Sequence, residues 1–331
     1  LGELENVLVE VQRVVAWRAF GTRVAQKKAP SFPMKAIAIS LLSLLPLAAS
    51  VRAGTETTSA VEPAAPQSRV HFLLQVDVSD HYITPRGLNV ENEGVVFQPL
   101  LLSFWNLYSD KSSFVNDVSL TLGMWSSVHT EVSGPDPGHW NEWDPIFGLS
   151  LGLGDYVKFE TNYTAFKSMV DAYPTSHHLE LKLKLDDSKW LGAFALNPYV
   201  AFWKELDNKA TVVFDPTTSD ESYYFTVGIN PSVKAGPVKF EFPTYINIVD
   251  SEFYQQMDGS DGGSGIAVFG TEIKASVPLM FIPQEYGFWT AYAGVKYYHL
   301  GNKGLKDGNI VLGGGDRDDL VQFHAGLSIF F

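Results

Sequence analysis

The 331-residue sequence has no cysteine, which removes disulfide frameworks, thiolate nucleophiles and cysteine-bound metal together. It also lacks the repeated apolar runs of about 18 residues or more that a polytopic helical membrane protein needs. Mean hydropathy is -0.00 despite 22 Phe, 14 Tyr and 8 Trp, an average that suits alternating strands. Positive charge is scarce where it would matter for nucleic acid. Of 24 Lys/Arg and 37 Asp/Glu, residues 1–53 hold seven basic and three acidic side chains, so residues 54–331 hold 17 (24 less 7) against 34 (37 less 3), a net of -17. That balance excludes nucleic acid as a partner. No HExxH pair and no Gly-Lys-Ser/Thr cradle is present, so zinc hydrolysis and phosphate-loop chemistry have no motif to rest on.

What is present is a period of two. In Leu320–Phe331 (LVQFHAGLSIFF), Val321, Phe323, Ala325, Leu327, Ile329 and Phe331 share one face of an extended strand, opposite Gln322, His324, Gly326 and Ser328. One greasy face against one polar or small face marks a strand between an apolar and a wet environment. Ending on the apolar face, on an aromatic residue, suits a strand that closes a barrel.

Near the start, Met34-Lys35 precedes an apolar run over residues 36–49 and then Val51-Arg52-Ala53. This charged start, hydrophobic core and small-residue cleavage site read as a signal peptide over 34–53. Residues 1–33 read as upstream over-annotation or an extended n-region, and the Thr/Pro/Ala-rich 54–68 as a flexible leader. The sequence therefore predicts export, with the barrel occupying 69–331.

Twelve extended segments are expected there: 69–79, 94–107, 114–128, 144–153, 156–166, 177–186, 192–204, 222–234, 238–249, 266–277, 287–300 and 320–331. Their spacers alternate in length, as in an all-β, antiparallel up-and-down transmembrane barrel with short periplasmic turns and long outer loops. In 177–186, Leu179, Leu181, Leu183 and Leu185 alternate with His178, Glu180, Lys182 and Lys184, and in 144–153 Phe147, Leu149, Leu151 and Leu153 alternate with Gly148, Ser150 and Gly152. Segments 94–107 and 192–204 are apolar on both faces, which predicts an interior packed or covered by a loop there.

Candidate lumen-lining residues follow from the polar faces: Lys158, Glu160, Asn162, His178, Glu180, Lys182, Lys184, Lys239, Glu241, Glu272, Lys274, Tyr292, Lys296 and His324. Their mixed signs name no solute, and paired across strands they can close the middle of a barrel. Catalysis would need a Ser/His contact across strands, because His324 and Ser328 are roughly 13 Å apart along one strand; Ser150 and Ser276 are the other inward candidates. His177 and His178 point to opposite faces and do not chelate together. Asp250, Glu252, Asp258, Asp261, Asp307, Asp316, Asp318 and Asp319 make the loops acidic, a setting for weak calcium binding but without the spacing of a calcium loop. No metal, catalytic residue or cofactor is assigned.

The last strand, with His324, Gly326, Ile329 and Phe331, resembles the C-terminal insertion signal of Gram-negative outer-membrane barrels. Residues 69–331 resemble the porin-like outer-membrane proteins of those bacteria, a poorly characterised group, and 77–88 (DVSDHYITPRGL) is similar to a first-strand and first-loop pattern in some of them, through Tyr82, Arg86 and Gly87. The resemblance implies an outer-membrane location, contact with lipid and lipopolysaccharide, engagement of the barrel-assembly machinery through the last strand, and possible homo-oligomers. The expected function is passive diffusion of small hydrophilic solutes. The alternatives are a closed structural or adhesive barrel and a lipid-modifying enzyme, with a soluble secreted β-sandwich as the competing fold.

Overall fold

The computed structural model describes residues 68–133 and 138–331; the expected signal peptide and leader lie outside these residues. In chain order the strands are β1 (Val70–Ser79), β2 (Tyr82–Ile83), β3 (Asn89–Glu91), β4 (Val96–Ser109), β5 (Val115–Ser133), β6 (Gly138–Leu153), β7 (Val157–Ser168), β8 (Ser176–Leu185), β9 (Tyr199–Asp207), β10 (Tyr223–Ile229), β11 (Ser232–Ala235), β12 (Val238–Glu241), β13 (Thr244–Val249), β14 (Gly265–Pro278), β15 (Phe288–Leu300) and β16 (Asp319–Phe330). All but the small β2–β3 pair belong to one antiparallel sheet of 14 strand segments. Pairing of β1 with β16, from Leu73↔Phe330 to Ser79↔His324, closes it into a ring.

The closed barrel has twelve wall strands, because two of them are each broken once by proline. Pro231 separates β10 from β11, and Pro243 separates β12 from β13. Proline has no N–H to give the ladder, but its carbonyl still accepts: Phe242 N donates to Pro231 O (3.0 Å) and Glu272 N to Pro243 O (2.9 Å). The wall therefore stays continuous through both breaks.

Alternation orients the wall. Along β16, Val321, Phe323 and Leu327 are exposed while Gln322 and His324 are buried, and along β8 Leu183 is exposed while His178 and Glu180 are buried. An apolar face turned out to hydrocarbon and a polar face turned in is the arrangement a bilayer imposes on a closed sheet. No helix among the described residues is long and apolar enough to cross a membrane; the crossing is made by strands.

Three expectations change. The segment expected at 192–204 starts only at Tyr199, since Ser188–Leu191 forms a helical turn and Gly192–Phe194 a 3₁₀ turn; Pro198 and the Ala/Phe/Leu run before it imitated a strand. The long loop expected over 129–143 is largely strand, with Val128↔Trp140 and Ser133↔Gly138 pairing β5 to β6. At 19 and 16 residues, these two exceed the roughly 9–11 needed to span a bilayer and rise beyond it. The long loop at 301–319 contains a helix, Lys303–Val311, capped by Asn302, whose side chain accepts from Leu305 N (3.1 Å).

Candidate functional site

The loop between β1 and β4 does not stay at the rim; it folds across the interior. Thr84 O accepts from Gly87 N and Thr84 N donates to Leu88 O (both 2.8 Å), making a tight turn. Three successive carbonyls of that turn are taken by side chains from distant parts of the chain. Pro85 O accepts from Tyr245 Oη (3.0 Å) and Asn247 Nδ2 (2.9 Å) on β13, Arg86 O from Tyr254 Oη (2.6 Å), and Gly87 O from Asn309 Nδ2 (3.0 Å). Buried backbone groups need partners, and here the partners fix the turn's position. Around it Ile83, Leu88, Phe253, Tyr254, Leu300 and Leu305 form a dry cluster. The long-loop end of the barrel is thus plugged by residues 80–91, the helix Lys303–Val311 and the loop after β13.

Arg86 is buried with its guanidinium 4.7 Å from the centre of the Phe166 ring, an arrangement of cation over aromatic face. Burial works against its charge, but Tyr224, Tyr82 and Glu142 outweigh it, and its pKa is raised. Tyr82 Oη donates to Glu142 Oε2 (2.6 Å). Burial first, then the Glu142 and Asp144 charges, push this phenol well above its ordinary range. The sequence pattern Tyr82, Arg86, Gly87 is therefore the working part of the plug. Glu142 went unnoticed because 129–143 reads as loop, and Asp144 because it stands at the very start of the expected strand 144–153; their alternation with Trp143 was the available signal.

Two buried serine–histidine contacts also lie on inner faces. Ser127 Oγ is 2.9 Å from His129 Nε2, and Ser176 Oγ is 2.6 Å from His178 Nε2. Each is a contact between residues i and i+2 of one strand, not the cross-strand pair that catalysis would need. His129 Nδ1 lies 3.4 Å from Glu91 Oε2 without hydrogen-bond geometry. Both serines are 0% exposed, which leaves no approach for a substrate carbonyl. Ser150 is buried and Ser276 Oγ donates to Lys239 O (3.4 Å); neither contacts a histidine among the described residues.

The middle of the wall holds a second network. His324 Nδ1 meets Asp77 Oδ1 (2.9 Å) on β1, and Nε2 meets Glu272 Oε1 (3.0 Å) on β14. The second contact spans β15, and it is possible because Gly294, the register partner of His324, has no side chain in the way. Reciprocally, Tyr292 lies over Gly326, with its ring 5.9 Å from that of His324. Lys296 sits in register with Glu272. At the closing strand Ile329 is in register with Leu74, and Phe331 N donates to Phe72 O (3.0 Å). Replacing His324 by leucine strands two carboxylates on the inner face. The expected loss is about 2–5 kcal/mol, read as a lower urea midpoint; an unchanged midpoint would mean that the bridge contributes nothing.

Towards the short-turn rim the remaining expected residues form paired ladders. Glu160 meets Lys158 (3.2 Å) and Lys184 (2.7 Å); Glu241 meets Lys239 (2.8 Å) and Lys274 (3.1 Å). Glu180 accepts from Asn162 (3.0 Å) and lies 3.5 Å from Lys182, whose Nζ is 4.7 Å from the Tyr199 ring centre. Lys158, Lys184 and Lys239 stay 49%, 43% and 41% exposed at the side chain, although they share the inner face with buried groups.

The acidic loops are occupied with themselves. Asp258 accepts from Ser260, Asp307 from Met257 N, Asp318 from Lys306 and Asp319 from Tyr297. Among the described residues no three His, Asp or Glu side chains come together as a metal site. His177 and His178 part as expected, His177 Nδ1 lying 2.5 Å from Tyr163 Oη.

The chain is a closed transmembrane β-barrel. No protein-family profile matches it, and no curated protein sequence does. Among solved structures it is similar to an outer membrane channel from Pseudomonas putida F1 (10% identity, 82% of this chain and 100% of that one, TM-score 0.44). It is also similar to a NanC porin (12% identity, 77% and 98%, TM-score 0.40) and to outer membrane phospholipase A from Escherichia coli (11% identity, 81% and 94%, TM-score 0.38). These distant likenesses lend no activity to this barrel.

Proposed function

We propose that the protein is an outer-membrane channel for passive diffusion of small hydrophilic solutes, narrowed at its long-loop end by residues 80–91. The observation that carries this reading is the solvated inner wall near the short turns, where Lys158, Lys184 and Lys239 remain 41–49% exposed. Wall side chains fill an eight-stranded barrel, whereas a wider one leaves space in the middle. Twelve strands exceed that limit, and here a folded-in loop occupies one end while charge lines the other. The ladder residues from Lys158 to Lys184, with Lys239, Glu241, Glu272, Lys274, Tyr292, Lys296 and His324, then line the solute path. Lipid and lipopolysaccharide surround the apolar face, and the last strand serves assembly. The folded protein in planar bilayers is expected to give small, stepwise, ohmic conductance. An inserted barrel that stays silent would favour the closed structural barrel, a reading that the dry plug supports.

A lipid-hydrolysing barrel is the second reading, and the Ser127–His129–Glu91 arrangement is what favours it. Labelling of Ser127 by a fluorophosphonate would establish a reactive serine. With Ser127 and His129 sealed beneath the Tyr82 ring, they act as a strut under the plug and no labelling is expected.

A further inference from the structure

Two places on the inner wall put like charges directly opposite one another. Lys158 and Lys184 are cross-strand partners in the β7–β8 pair, and Lys234 and Lys239 are cross-strand partners in the β11–β12 hairpin. Like charges in directly opposed positions destabilise a sheet, so each pair needs compensation. Each receives one carboxylate: Glu160 lies between Lys158 and Lys184, and Glu241 between Lys239 and Lys274. One carboxylate is too few. Counted by ion pairs, the first patch keeps a surplus of one positive charge, with Asp117 the next carboxylate along its row, across Gly152. The second keeps a surplus of two, because Lys234 has no ion pair among the described residues. Both patches sit by the short turns, at residues 154–156 and 236–237, in a chain whose residues 54–331 are strongly acidic overall.

A sheet that needed only solubility at this rim would alternate the signs, as Glu160 and Lys182 do across the same two strands. Ammonium pairs left short of carboxylate, exposed to water yet walled by low-dielectric protein, focus a positive potential into the mouth of the barrel. We propose that the short-turn mouth is an anion-binding vestibule, in which the Lys158/Lys184 and Lys234/Lys239 pairs hold small solutes carrying carboxylate or phosphate groups. The surplus ammonium groups take the place of the anion's water, and the intervening Glu160 and Glu241 keep the attraction weak enough for release. A ring of side chains of one sign sets ion selectivity in the same way in other pores. As selectivity, the inference rests on the channel reading above; as binding, it stands without it.

The test therefore has two arms. In bilayers under a potassium chloride gradient, the full-length barrel is expected to pass chloride over potassium by about three-fold or more. The K158Q/K184Q and K234Q/K239Q double variants are each expected to bring that ratio towards one. A conducting barrel that prefers potassium, or whose preference survives both double variants, overturns the proposal and leaves the channel reading intact. In detergent, line broadening of the phosphorus resonance of inorganic phosphate by the folded protein should fall in each double variant. Broadening unchanged by the variants, or absent from the parent barrel, also overturns it. A barrel that is silent in bilayers but broadens phosphate through these lysines defeats the channel reading alone. The glutamine amides can still donate to Glu160, and Glu241 keeps Lys274, so the variants are expected to fold, and heat-modifiable migration checks that they do.

Discussion

Gly87→Val is expected to open the barrel. Gly87 has φ of +86°, and a Cβ there would lie 2.9 Å from Leu300 Cδ2, 3.0 Å from Val268 Cγ2 and 3.1 Å from Leu305 Cδ2. A side chain in this backbone region costs about 1–2 kcal/mol, and forcing extra methyl groups into a packed cluster about 1–3 kcal/mol more. Both costs fall on the docked turn and are relieved when it swings out of the lumen. Unitary conductance should rise several-fold, and trypsin should cut after Arg86, a bond that burial protects in the parent protein. Continued resistance to trypsin at Arg86 would mean that the turn tolerates the side chain and is not held as tightly as its contacts imply.

Lys209→Ala should unfasten the outer loops by a different route. Lys209 is buried after β9, 3.3 Å from Glu205 Oε2, and it also donates to Asp220 O (2.8 Å) and Glu252 O (2.7 Å). One ammonium thus ties together the end of β9, the 208–222 loop and the loop that carries Phe253 and Tyr254. Removing it leaves the Glu205 carboxylate, 1% exposed, with only the Ala210 and Ser222 amides (both 2.9 Å) as partners among the described residues. Breaking a buried pair from one side costs about 3–5 kcal/mol. Hydrogen exchange over 208–222 and 250–264 should accelerate by roughly a hundred-fold or more while the wall strands stay protected. Adding Glu205→Gln removes the stranded charge and should restore part of the protection. Equal exchange in the single and double variants would assign the effect to lost packing.

The wall was legible in the sequence because a bilayer forces every strand into the same period of two. Leu179 to Leu185 against His178 to Lys184 needs no tertiary information to read, and the last strand, where Val321 and Phe323 alternate with Gln322 and His324, is equally plain. The two prolines did not hide their strands, since each break falls where pairing resumes within a few residues. The interior was far less legible. Apolar residues on both faces of 94–107 signalled something packed inside, but not what. The plug is assembled from side chains such as Tyr245, Tyr254 and Asn309, more than 150 residues from the turn they hold, and nothing local marks them as partners. The helix Lys303–Val311 escaped because its buried positions include Gly304, Gly308 and Asn309, which read as turn residues. The surplus of lysine at the short-turn mouth needs the register, which only the folded sheet supplies.

The plug also has a place in time. Its turn lies just after the first strand, yet the groups that grip it are at Tyr245, Asn247, Tyr254 and Asn309, and the ring itself closes only when β16 meets β1. Contacts this remote in sequence form late, because the intervening loop must first be brought together. The turn therefore has nothing to dock on until the last third of the chain has joined the wall. All four groups precede β16 in the chain, and the β1–β16 pairing is more remote still, so by the same measure the turn is expected to seat before the last strand completes the cylinder.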